Sequence, residues 1–156
     1  HLSIRRQRQM CIRDSYSSNP TIKNTIFSGN WAEKFGGTIK NYESSPVLTN
    51  CTLSGNWAQS SGGGIWNGPG SGAKLTNCIL WGNSDTDGMD ESAQIDGNNE
   101  ISIINYCCIQ GWTGNLGGIG NIFADPLFVD AANGDYHLKS QAGGGMRTRD
   151  DGRKTN

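Results

Sequence analysis

Four hard oxygen donors crowd into seven residues at Asp85, Asp87, Asp90 and Glu91, a set that would suit Ca2+. The run does not follow the EF-hand pattern, because Gly88 stands at position four rather than six and no Glu falls at position twelve. A solvated acidic loop is the plainer explanation. Cys51 and Cys78 lie 27 residues apart, and Cys107 and Cys108 are adjacent. In a strand, only one of two adjacent residues can face inward. Two histidines and no Cys-x-x-Cys pair leave zinc without a ligand set. Trp31 and Trp57 could present aromatic faces to sugar rings, or could stack on each other over a corner of the fold. Proton transfer finds little to work with. Lys23, Lys40 and Lys74 lie among Thr and Asn, His137 lies near the end of the patterned sequence, and no Arg or Asp-Asp pair occurs between Tyr16 and Ala142. No residue nominates itself as catalytic.

Charge is distributed unevenly around these groups. The chain of 156 residues carries a net charge of −1, yet all seven Arg lie at its ends. The stretch from Tyr16 to Ala142 holds 11 acidic residues against five Lys, a net of −6. Arg5-Arg6-Gln7-Arg8-Gln9 has the composition of a phosphate-binding arm. However, Arg5 to Ser15 resembles the translation of a transposon-type sequencing adapter. Residues 1–15 are therefore expected to be a non-native, adapter-derived segment, and nucleic-acid binding is not expected. Residues 143–156 lack apolar alternation and are expected to be a disordered or frameshifted tail, so Asp150-Asp151 carries no catalytic weight. No secretion signal is visible, and none is expected if the native N-terminus was lost. No apolar run reaches the roughly 18 residues needed to span a bilayer.

The elements that must position these groups come from a repeat. Ile22 to Ala32, Leu48 to Ala58 and Leu75 to Asn83 are near copies, with Asn24, Asn50 and Asn77 spaced by 26 and then 27 residues. A period in the range of about 20–50 residues marks a solenoid, whose units bury their apolar faces only by stacking. Alternation predicts two short strands around each of these Asn residues. Ile22, Leu48 and Leu75 then face inward before the bend. Thr25, Cys51 and Cys78, followed by Phe27, Leu53 and Leu80, face inward after it. Asn tolerates the left-handed corner, and Asn24, Asn50 and Asn77, like Asn30, Asn56 and Asn83, are expected to form internal amide ladders rather than a ligand surface. Cys51 and Cys78 fall one coil apart and within disulfide reach. Because in-register side chains point the same way, a buried thiol stack is expected instead.

A third side follows at Gly36-Gly37-Thr38-Ile39 and Gly62-Gly63-Gly64-Ile65, again 26 residues apart. Three short sides per turn make a parallel β-helix. About four coils are expected, beginning near Pro20, Pro46 and Ala73, with the fourth containing Ile103 to Gly111. The third coil lacks the glycine pair, and Gln94-Ile95 is expected to supply its returning strand. Asp125 to Leu138 reads as a β-hairpin turning at Asn133-Gly134, and Ala124 to Leu138 is expected to be a partial end cap. The ends of such a stack would expose strand edges that favour aggregation.

Phe27-Ser28-Gly29-Asn30, with weaker copies at Leu53 to Asn56 and Leu80 to Asn83, resembles the Phe-x-x-Asn repeat of polymorphic outer-membrane proteins. Gly36 to Ile39 and Gly62 to Ile65 resemble that family's Gly-Gly-Ala-Ile motif, without its Ala. From about Pro20 to Leu138 the chain is similar to bacterial pectin-lyase-like proteins, which implies an all-β, right-handed parallel β-helix on or outside the cell. The resemblance implies a structural or adhesive fragment, possibly a binder of polysaccharide or cell-surface glycan through Trp31 and Trp57. The second expectation is a non-catalytic piece of a polysaccharide lyase or glycoside hydrolase. Similar lyases pair a basic residue with calcium-binding carboxylates, and similar hydrolases cluster Asp residues; neither arrangement is visible between residues 16 and 142. Calcium at Asp85, Asp87, Asp90 and Glu91 is the one cofactor left in view.

Overall fold

A computed structural model describes residues 13–97 and 102–139, with the side chains of 13–16 left aside. The fold is all-β, a parallel β-solenoid of about three turns. Its first side stacks Thr21–Lys23, Val47–Thr49, Lys74–Thr76 and Ile103–Asn105; its second stacks Ile26–Ser28, Thr52–Ser54, Ile79–Trp81 and Cys108–Ile109. The third side stacks Arg13–Tyr16, Ile39–Tyr42, Ile65–Asn67 and Ile95–Gly97. Between the second and third sides, Trp31–Ala32 pairs with Trp57–Ala58.

Every one of these ladders is parallel and keeps the register of the repeat. Phe27, Leu53, Leu80 and Ile109 pair in succession, as the spacing predicts. Ile22, Leu48, Leu75 and Ile104 make a second file, and Ile39, Ile65 and Ile95 a third. The three files meet in one core, where Leu48, Leu53, Ile65, Leu75, Leu80, Ile104 and Ile109 are inaccessible to solvent. Burying each such side chain contributes about 1.5–3 kcal/mol, an amount that an isolated coil, open above and below, cannot collect.

The corners explain the asparagines and glycines. Asn24, Asn50 and Asn77 hold φ of 51°, 54° and 53°. This left-handed bend breaks the alternation, so Leu48 and Cys51 both face inward and Asn50 between them is left outside. The expected internal ladder at Asn24, Asn50 and Asn77 is therefore corrected: the column is exposed, and the amide bond within it runs from Asn50 Nδ2 to Asn24 Oδ1 at 3.2 Å. In the fourth coil Tyr106 takes the same corner with φ 55°. At the turn before the third side, a Cβ on Gly37 would collide with the carbonyl oxygen of Gly63, and one on Gly63 with that of Ser84. Pro20 and Pro46 lose no ladder bond at the start of their coils, because their carbonyls accept from Val47 N at 2.9 Å and Lys74 N at 2.8 Å.

Two features depart from the repeat. The third coil returns through a single helical turn, Glu91–Gln94, before Ile95–Gly97 pairs with Ile65–Asn67 as the strand anticipated there. Asp90 starts that turn by accepting from Ser92 N and Ala93 N. Over the last rung, Trp112 and Leu116 pack on the core, Ile122 N donates to Cys107 O, and Asn121 Nδ2 donates to Ile104 O. The strand Arg13–Tyr16 overlaps the presumed adapter segment, since any chain can extend a sheet edge through its backbone. The rest of that segment, residues 1–12, and the tail at 143–156 lie outside the described residues.

Residues from Leu127 onward form a compact unit of their own. Phe128–Asp130 and Asp135–Leu138 make an antiparallel hairpin. Its turn is wider than Asn133-Gly134 alone, with a 3-10 turn at Ala131–Asn133 leading to left-handed Gly134 at φ 83°.

Candidate functional site

The exposed tryptophans come together as the repeat demands. Trp31 and Trp57 lie one rung apart with ring centroids 5.7 Å from each other and planes within 11°. Each ring thus spends one face on the other, and Trp31, at 41% exposure, is the more open of the pair. The column ends at the next rung, where Trp57 bridges to Ser84. Trp66, for which the repeat gives no Trp partner, stacks on Phe35 with centroids 4.7 Å apart. The signal available for that pair was the offset of Phe35 from Ser61 in the same register, which says nothing about a ring one position further along the coil.

The acidic residues do not converge. Asp85 is buried and its Oδ1 accepts from Asp87 N at 3.0 Å and Gly88 N at 3.2 Å. Asp90 caps the short helix, and its Oδ1 also accepts from Ser92 Oγ at 2.6 Å. That hydroxyl, with the backbone amides of Ala93 and Ser92, holds the Asp90 carboxyl below its ordinary range despite a small opposing effect of burial. Glu91 accepts from Thr113 N at 3.1 Å and from the Thr113 hydroxyl. Among the described residues, no three His, Cys, Asp or Glu side chains gather closely enough to hold a metal ion. The calcium set therefore reads geometrically as three local hydrogen-bonding devices, with Asp87 on the exposed turn between them.

Cys51 and Cys78 form the expected thiol column, and Cys107 continues it in the fourth coil; all three are buried and unbonded to one another by disulfide. Cys51 Sγ donates to Thr49 O at 3.4 Å and Cys78 Sγ to Thr76 O at 3.4 Å. The contact with Cys78, followed by burial, pushes the Cys51 thiol far above its ordinary value. The contact with Cys107 and burial push Cys78 up to about 11. Cys108 faces the other way and is half-buried, as adjacency to Cys107 requires. None of the buried three has the depressed pKa and access of a nucleophile.

The second asparagine column is the internal ladder foreseen for it. Asn30 N and Nδ2 donate to Asn56 Oδ1 at 3.0 and 2.7 Å, and Asn56 N and Nδ2 donate to Asn83 Oδ1 at 3.1 and 2.8 Å. Gln94 finishes it: its Oε1 accepts from Asn83 N and Nδ2, and its Nε2 donates to Asn83 O at 2.9 Å. Two shorter columns went unread, although their spacing of 26 or 27 residues was available. Asn41 Nδ2 donates to Asn67 Oδ1 at 2.8 Å, and Ser44 N donates to Ser71 Oγ at 3.2 Å. In the hairpin, His137 Nδ1 lies 2.6 Å from Asp135 Oδ1 on an exposed strand. Bonds from the His137 backbone and ring lower the Asp135 pKa, with no third group to make a catalytic set.

No family model, curated protein or solved structure matches this chain. Among the described residues, no helix is long and apolar enough to cross a membrane.

Proposed function

We propose that this chain is part of an extracellular or cell-surface β-helix protein of the pectin-lyase-like kind, with polymorphic outer-membrane-protein-like repeats and a structural or adhesive role. The observation that carries this reading is where the repeated polar residues go: Asn30, Asn56, Asn83 and Gln94 are spent on one another, joining coil to coil. Such a chain resists unstacking and offers a regular outer wall, which suits a spacer or stalk better than a reaction centre. Glycan contact belongs on the side that bears Trp31 and Trp57, where the outer face of Trp31 is the platform for a sugar ring.

A glycan array probed with the full chain and with Trp31→Ala tests the adhesive half of this reading. Binding that disappears in Trp31→Ala, with an unchanged melting temperature, supports it; binding that survives moves the contact elsewhere. Incubation with pectin and alginate, followed for new reducing ends or unsaturated products, tests the structural half. Accumulating product would replace a stalk with an enzyme.

A further inference from the structure

Hydrogen bonding along the buried asparagine column has a direction. In each step the backbone N and Nδ2 of one coil donate to Oδ1 of the next coil toward the C-terminus. Asn30 begins the column, so its Oδ1 should receive two donors from the other side. Among the described residues it receives none: Asn30 Oδ1 is buried without a partner, as are Thr38 Oγ1 and Asn41 Oδ1 in the same coil. Buried acceptors in native folds are rarely left unmet. On that same side, Thr21–Lys23, Ile26–Ser28 and Trp31–Ala32 are the outermost strands of their sheets among the described residues. The opposite end is different, since Cys107 N is met by Asn121 Oδ1 at 2.9 Å and Ile109 N by Ile122 O at 3.0 Å.

We propose that the edge formed by residues 21–32 is a binding site for an extended polypeptide strand, laid parallel to it, that brings an asparagine carboxamide over Asn30. The backbone of the strand extends the sheets, as in β-strand addition. Its asparagine N and Nδ2 satisfy Asn30 Oδ1, and a large apolar residue three positions earlier lies over Phe27, repeating the Phe27 to Asn30 spacing. The donor requirement excludes two occupants. A second copy docked through the same edge brings another bare Oδ1, and two acceptors do not pair. The twelve residues ahead of Arg13 contain no asparagine, and the residue one period before Asn30 is Ile4, whose side chain has nothing to donate. This inference is independent of whether the Trp31 side binds glycan.

The test uses the full chain and a fluorescein-labelled peptide with the sequence of residues 20–32, which carries the motif and no cysteine. Fluorescence anisotropy should show saturable binding. The same peptide with Asn30→Ala, which keeps every backbone group, should bind at least about tenfold more weakly, because it leaves a buried acceptor unmet. Since the substitution is in the peptide, the protein's folding is not disturbed. Absence of saturable binding, equal affinity of the Asn30→Ala peptide, or equal affinity of a scrambled peptide would each overturn the proposal.

Discussion

Replacing Asn56 by Ala should be among the most damaging single changes in this chain. Asn56 is fully buried, and its carboxamide makes four hydrogen bonds: it accepts from Asn30 N and Nδ2 and donates to Phe27 O at 3.1 Å and Asn83 Oδ1 at 2.8 Å. Asn83 Oδ1 keeps its bond from Asn56 N at 3.1 Å. The two Asn30 donors lose the acceptor they share, at about 1–3 kcal/mol per orphaned group. Allowing for partial relaxation, the loss comes to roughly 3–5 kcal/mol, a large part of the ~5–15 kcal/mol that holds a typical domain. Urea unfolding followed by far-UV circular dichroism measures it, with Asn50→Gly as the control. Asn50 is exposed and left-handed, so Gly there should change stability by less than about 0.5 kcal/mol. Asn56→Asp adds a pH signature. An oxygen in place of Nδ2 faces Asn83 Oδ1, and a buried carboxylate beside an acceptor has its folded pKa raised above the unfolded value near ~3.9. Its protonated form is the compatible one, so stability is greatest below that value and is lost as pH rises through the folded pKa. An Asn56→Ala midpoint indistinguishable from that of Asn50→Gly would refute the claim that the ladder joins the coils.

Further expectations follow from single contacts. Gly63→Ala should destabilise by about 1–3 kcal/mol or more in the same unfolding assay, because its Cβ meets backbone atoms of Ser84 that cannot step aside. Cys51, Cys78 and Cys107 should resist iodoacetamide at pH 8 in the folded chain and react on unfolding, as site-resolved mass spectrometry would show; rapid native alkylation of Cys51 would contradict the buried column. Asp90→Ala should cost about 1 kcal/mol at neutral pH. The Asp90 pKa is lowered in the fold, so the cap is intact above the ordinary carboxylate range and is lost as pH falls through the lowered value. Melting curves of the native chain and Asp90→Ala should therefore converge in acid, and a gap that persists there would show that the carboxylate is not the cap.

The correspondence between pattern and structure is closest where identical residues repeat. Phe27, Leu53 and Leu80 pair in one file because a parallel coil of constant length returns each position above its predecessor. The same logic gives the Asn30 and Cys51 columns. It fails at Asn24, Asn50 and Asn77, where the residue type predicts the left-handed bend but not the side on which the amide ends. It also fails at Gln94, only 11 residues beyond Asn83, since a helical turn in place of a full third side brings that amide back early. The Asp85 to Glu91 cluster shows the converse, for proximity along the chain did not make the carboxylates neighbours around one point.

By itself, the sequence determined the periodic part of this protein: parallel coils, their register, the inward files and the thiol stack. Those follow from spacing, because a side chain's place is set by the length of the turn that returns it. Tertiary structure alone decided the aperiodic part. Gln94 ends the asparagine column, Trp112, Leu116 and Asn121 cover the last rung, and Asn30 begins its column with an acceptor unmet. Such ends have no repeat to announce them, since a terminal rung has a neighbour on one side only and must satisfy the other with whatever the chain or a partner can bring.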